Sequence, residues 1–335
     1  MANQTTLTPE TTVPLRKRVE RTVGRVALQL VIGPIRAMPW PMARSFGRGL
    51  GAVAYRIFGK GRRVAYKNLA LVYGEEKTEA ERRRMAREVF RHFGQWGTEF
   101  LKLPHMSRTA VDRLVTVAGE ANLCAALEKG KGVLLVTGHF GNWEFMGRWL
   151  ATHGYALNVV ARDARDPAMT KLQREIREGN GATVLYRGNS ARAVLQCLRK
   201  NEIVALLPDQ NAADVFVPFL GQPTGTVDGP AVIHLKTSAP LLFSWCTRTP
   251  DDRFHLEFEP PVVIAPTGER EADIATVMTE INARLGAQIR RNPTQWLWLH
   301  DRWKASPGVF PEGAANVIEL KTPIKKALQE KQTRP

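Results

Sequence analysis

The 335-residue sequence predicts an α/β fold: a mixed, largely parallel sheet flanked by helices, with a basic amphipathic N-terminal helical arm. Three observations predict it. From Gly132 onward, short apolar runs alternate with helical patterns, the signature of strands joined by crossover helices. Ahead of that region, apolar residues recur at helical spacing between arginines. Charge is also divided unevenly, with 22 Lys and Arg against 9 Asp and Glu in residues 1–117 and 26 against 23 in residues 118–335.

Taken in order, residues 1–20 read as a flexible N-terminus and 21–117 as a basic helical, membrane-associating region. Within residues 11–70, 13 basic residues face a single acid, Glu20, so this segment attracts phosphate-rich surfaces. Apolar runs between the arginines favour lipid over nucleic acid as the partner. From Met42, the residues Phe46, Leu50, Val53 and Ile57 continue one helical face, with Arg44 and Arg48 opposite. Such a helix either lies in a bilayer interface or covers the core with its apolar side. No uncharged stretch is long enough for a conventional spanning helix, and the late, interrupted apolar region matches a cleavable signal poorly. Thr78-Glu79-Ala80-Glu81 is a capping box that opens a helix with Met85, Val89, Phe93, Trp96 and Phe100 as its buried stripe.

Residues 118–305 read as the core and 306–335 as a tail. Val133 to Thr137, Leu157 to Ala161, Thr183 to Tyr186, Ile203 to Leu207 and Leu241 to Cys246 are expected to be buried strands, and Phe254 to Glu259 alternates like an edge strand. Helices are expected over 142–153, 168–179, 190–200 and 229–237. A last one carries Ile274, Val277, Met278, Ile281, Leu285 and Ile289 on one face and is stopped by Pro293. Cys124, Cys197 and Cys246 have no metal or disulfide spacing and read as core thiols in a reducing compartment.

Functional residues of such a sheet belong in loops at the carboxyl ends of the strands. Gly138-His139-Phe140-Gly141-Asn142-Trp143-Glu144 follows the most apolar strand. A histidine in the loop and a glutamate in the first helical turn are placed to meet. The carboxylate would orient the ring while the neutral imidazole takes a proton from a hydroxyl. The blander reading has His139 bonded to nearby backbone and Glu144 serving the helix N-terminus.

The seven-residue segment resembles the His-x4-Asp/Glu signature of the lysophospholipid and lipid A biosynthesis acyltransferases. The resemblance continues in order through Arg162-Asp163-Ala164-Arg165-Asp166-Pro167, Pro208-Asp209-Gln210 with Val215-Phe216-Val217-Pro218-Phe219-Leu220-Gly221, and Gln295-Trp296-Leu297-Trp298-Leu299-His300-Asp301-Arg302-Trp303-Lys304. It covers about residues 20 to 305, with Asp301 standing where the family often has Arg. It implies that 118–305 is a catalytic acyltransferase core, that His139 is the general base and that Glu144 is its orienting partner. Arg162 and Arg187 become candidate phosphate-binding residues, the alternative being solvated surface charge. Asp209 and Gln210 join the substrate-binding set, with Asp209 a supporting polar residue or a turn cap. His300 and Arg302 read as structural.

The resemblance further implies transfer of an acyl group from acyl carrier protein or coenzyme A to a membrane lipid acceptor, a lipid A precursor or related glycolipid. No metal or other cofactor is expected. The expected location is the cytoplasmic face of the inner membrane, peripheral or monotopic, against an anionic membrane surface and with no nucleic acid partner. The competing reading is a non-enzymatic protein that binds anionic lipid or nucleic acid through the basic arm. A serine hydrolase is disfavoured because no Gly-x-Ser-x-Gly elbow is present.

Overall fold

A computed structural model of the protein describes residues 32–306 and 308, apart from 163, 165 and 187–189. The expected loose N-terminus and almost all of the tail lie outside these residues. The apolar runs become strands β2 (Val133–Val136), β3 (Leu157–Ala161), β4 (Ala182–Tyr186), β5 (Ile203–Leu206), β8 (Leu241–Arg248) and β9 (Phe254–Phe258) of one seven-stranded sheet, which β1 (Val115–Ala118), in a stretch read as helical, completes. Their order is β1-β9-β8-β2-β5-β3-β4, with every neighbouring pair parallel except β8 and β9. A separate antiparallel hairpin is formed by β6 (Val215–Phe219) and β7 (Gln222–Thr226).

One strand expectation is corrected. Phe254 to Phe258 is not an edge, because β9 is enclosed between β8 and the short β1, which takes the edge position. Its alternation, with Phe254, Leu256 and Phe258 buried and His255 and Glu257 partly exposed, records one covered face rather than a free side. The central strand β2 shows the opposite pattern and is buried throughout. Leu134 and Val136 enter one core with Leu285 and Trp296, while Val133 and Leu135 enter another with Met146 and Trp149. A strand covered on both faces has no solvent side to mark with polar residues.

The long helices α1 (Trp40–Ile57), α2 (Gly59–Tyr73) and α3 (Glu79–Lys102) lie ahead of the sheet. The capping box is formed as expected, with Thr78 accepting from the Glu81 N–H and the Glu81 carboxylate accepting from Thr78. Ala43, Gly47 and Gly51 form the buried side of α1. A Cβ at Gly51 would collide with the Phe90 carbonyl, and one at Gly94 with the Gly47 carbonyl, so the two backbones approach more closely than larger residues permit. The expected apolar stripe of α1 therefore points away from the core. Met42, Phe46, Leu50, Val53 and Ile57 are exposed by 41 to 77%. Among the described residues, no helix is long and apolar enough to cross a membrane.

Crossover and covering helices include α4 (Arg108–Asp112), α5 (Glu120–Leu127), α6 (Trp143–Thr152), α7 (Pro167–Gly179), α8 (Ser190–Arg199), α9 (Gly229–Thr237) and α10 (Arg270–Arg291). The predicted face of α10, from Ile274 to Ile289, is buried, and Pro293 follows it in a 3₁₀ turn.

Candidate active site

Parallel pairing of β2 with β5 sets Val136 opposite Leu206. Three residues beyond each lie His139 and Asp209, so register alone delivers an imidazole and a carboxylate to the same rim at the same height. The His139 ring is 2.8 Å from Asp209, Nδ1 to Oδ1, and its backbone N–H donates to Oδ2 at 2.7 Å. The indole N–H of Trp296 donates to the same Oδ2 at 2.8 Å. Burial would push this carboxyl up, but the facing His139 and the donated hydrogen bonds outweigh it and bring its pKa down to about 2. Asp209 is thus an ionised acceptor that holds the proton on Nδ1 and leaves the Nε2 lone pair for another partner. Gln210 Nε2 faces that lone pair at 3.3 Å, and the side chain of His139 is 21% exposed.

The expected pairing of His139 with Glu144 is corrected by this geometry. Glu144 falls in the first turn of α6, and its Oε1 accepts from Arg177 Nε at 3.0 Å, Arg177 Nη2 at 2.7 Å and the Trp143 indole at 3.0 Å. Trp143 stands between the two groups, its ring edge-on to the His139 ring with centroids 5.1 Å apart. Glu144 therefore shares a wall with the histidine, while the ring's own carboxylate comes from another strand end. Asp209, expected as a supporting group or a turn cap, is that carboxylate.

The loop carrying His139 is held by the C-terminal aromatic segment. Leu297 N–H donates to the His139 carbonyl at 3.0 Å, and Gly141 N–H donates to the Gln295 carbonyl at 2.9 Å. The Gln295 side chain bonds both the N–H and the carbonyl of Arg248 at 2.8 Å. Gly141 has φ +59°, and a Cβ there would strike the Cys246 carbonyl, so this position of the loop requires glycine.

The remaining expectations divide. Arg162 is exposed just beyond β3, on the rim shared with Asp209 because β3 neighbours β5. Arg187 lies outside the described residues. His300 accepts from the Asn211 N–H through Nε2, and its pKa is lowered chiefly by burial. Arg302 is fully buried, bonds Gly225 and Thr226 of the hairpin and has its pKa lowered to about 10 by burial. Among the described residues, no group of three or more His, Cys, Asp or Glu could hold a metal. Sequence reasoning missed Arg177 as the partner of Glu144 and Trp296 as a ligand of Asp209. A helical Arg and an aromatic run carry no signal of the carboxylates they reach across the fold.

An imidazole bonded to a buried carboxylate at the rim of a parallel sheet is an arrangement that can take a proton from a hydroxyl. The family model for bacterial lipid A biosynthesis acyltransferases matches residues 17–305. The lipid A biosynthesis palmitoleoyltransferase of Escherichia coli (strain K12) is 28% identical over 277 residues, covering 81% of this chain and 87% of that protein. The lauroyltransferase of the same strain is 26% identical over 279 residues, covering 82% and 89%. A phosphatidylinositol mannoside acyltransferase of Mycobacterium tuberculosis (strain CDC 1551 / Oshkosh) is 27% identical over 247 residues, covering 71% and 76%. The chain belongs to the bacterial lipid A biosynthesis acyltransferase family and is an acyltransferase. Enzymatic membership displaces the reading of a protein that only binds lipid or nucleic acid.

Proposed function

We propose that the protein moves a fatty acyl group from a thioester to a hydroxyl of a lipid A precursor or related glycolipid, with His139 as general base. The observation that carries this is the Asp209–His139 bond, because a ring that donates to Asp209 through Nδ1 has Nε2 available as the base. The acceptor O–H gives its proton to Nε2 as its oxygen attacks the thioester carbonyl. The C–S bond breaks as the tetrahedral intermediate collapses, and the imidazolium returns the proton to the departing thiolate. Asp209 keeps the ring oriented and stabilises its charged form. Glu144 acts one step further out, where it and Arg177 hold Trp143 against the ring. Arg162 and Arg187 follow β3 and β4 and are suited to acceptor or donor phosphates, and Gln210 lies where the acceptor hydroxyl approaches Nε2.

The donor is acyl carrier protein or coenzyme A, both anionic and both matched to a strongly basic chain. Two features support peripheral attachment at the cytoplasmic face of the inner membrane: the outward apolar stripe of α1 and the surplus of basic residues around it. Purified His139→Ala and Asp209→Asn proteins test the mechanism. Each is expected to fold normally and to lose about 10²–10⁴-fold in acyl transfer. A near wild-type rate in His139→Ala would remove the mechanism.

A further inference from the structure

On the far side of the His139 loop from Asp209, α3 presents His92, Gln95 and Glu99, spaced three and four residues apart on one helical face. Glu99 is completely buried. Its Oε2 accepts from Asn142 Nδ2 at 2.7 Å and from Arg248 Nη2 at 2.6 Å. Asn142 in turn caps α6, its Oδ1 accepting from the Phe145 N–H at 3.0 Å, and its own N–H donates to the Cys246 carbonyl at 2.8 Å. His92 bonds the Gly141 carbonyl through Nε2 at 3.0 Å.

A buried ion pair is a poor investment in stability, because removing both charges from water offsets most of their attraction. What this pair does hold is geometry. Asn142 is three residues from His139 in a loop held tightly against the Cys246 carbonyl at both Gly141 and Asn142, so a shift at Asn142 is passed on to the ring. We propose that Glu99 and Arg248 are positioning residues for acyl transfer, acting through Asn142 to set the height of the His139 loop at the rim. This rests on His139 being the base. The pair is also linked to α1, since Arg248 Nη1 lies 3.8 Å from Asp252 Oδ1, and Asp252 is bound by Arg44 of α1 and by Gln95.

The test compares Glu99→Gln with the double variant Glu99→Leu/Arg248→Met in the full-length protein. Glu99→Gln strands a buried guanidinium and is expected to melt earlier. The double variant removes both charges and is expected to melt near wild type, since apolar replacement of buried pairs is often neutral. A purely structural pair then predicts wild-type kcat in the double variant. A positioning pair predicts a kcat about 10- to 100-fold lower with KM nearly unchanged, the effect of a small misplacement of a reacting group. Wild-type kcat at wild-type melting temperature would overturn the proposal. Amide hydrogen exchange supplies the arm independent of chemistry, with Gly141 and Asn142 expected to lose protection in the double variant. Unchanged protection there would also overturn it. If His139→Ala stays active while Gly141 and Asn142 lose protection, the base assignment fails and the loop-holding role stands.

Discussion

At the scale of single residues, two histidines of this chain illustrate opposite uses of burial. His139 stays at the rim, bonded to a buried carboxylate through Nδ1 and with its side chain only partly covered. His92 is buried beside the Arg248 guanidinium, and the cost of desolvating a cation, reinforced by that positive neighbour, lowers its pKa to about 3. It serves as a neutral donor to the Gly141 carbonyl. This has a consequence in acid. Above the ordinary histidine value of about 6.5, His92 is neutral both folded and unfolded, and its full contribution to stability is present. As the pH falls from there towards 3, only the unfolded chain takes up the proton, so stability is lost. The loss is about 2 kcal/mol by pH 5. Thermal melts from pH 8 to 5 should show this decline, and His92→Gln should flatten it. A variant with the same slope as wild type would place the acid sensitivity in other groups, because Asp209, whose own pKa is about 2, loses its contribution only at lower pH.

The elements show why α1 has three faces rather than two. Its small residues meet α3 at close range, Arg44 and Arg48 pair with Asp252 and Glu88, and the apolar stripe is left outside. A stripe that covered the core would have had to face α3, yet that contact is made by Ala43, Gly47 and Gly51. Leu50 and Val53 are about half exposed, so replacing both with Glu should leave the melting temperature unchanged. Burial of such side chains contributes about 1.5–3 kcal/mol each, so binding to phosphatidylglycerol-containing vesicles should fall at least about tenfold. Vesicle co-sedimentation at wild-type level would move the membrane contact to another surface. The β6–β7 hairpin is the element the chain's periodicity conceals most. Val215 to Gly221 is recognisable as a motif, but its pairing partner β7 is also bonded by Arg302, nearly eighty residues later, at Gly225 and Thr226.

For the whole molecule, the parallel sheet gathers at one rim the residues that the chain scatters over its length. His139, Arg162 and Asp209 each follow a different strand, and α1, with its exposed apolar stripe, packs on a side of α3 other than the one that supports the loop. A protein so arranged should act on a lipid that stays in the bilayer while the thioester arrives from solution. Mass spectrometry of membrane lipids from cells with and without the protein should reveal one acyl group lost from a glycolipid. Assays with acyl carrier protein and coenzyme A thioesters would then identify the donor. An unchanged lipid profile would count against a glycolipid acceptor.

Much of this was readable beforehand for a physical reason. The strand runs, the capping box at Thr78, the α10 face and the existence of the α1 stripe, though not its outward direction, are patterns of near neighbours in sequence, set by residue period and side-chain polarity. His139 and the loop around it were legible on the same grounds, as a glycine-flanked polar residue after the most apolar strand. What only the tertiary structure decided is which carboxylate meets the ring. Glu144 is five residues away along the chain, but the Asn142 cap and the α6 start aim it at Arg177. Asp209 is seventy residues away and arrives because β5, rather than β3, lies beside β2. Strand order in a doubly covered sheet is set by how helices pack on both faces, and the apolar strands that compete for each place carry nearly interchangeable sequences.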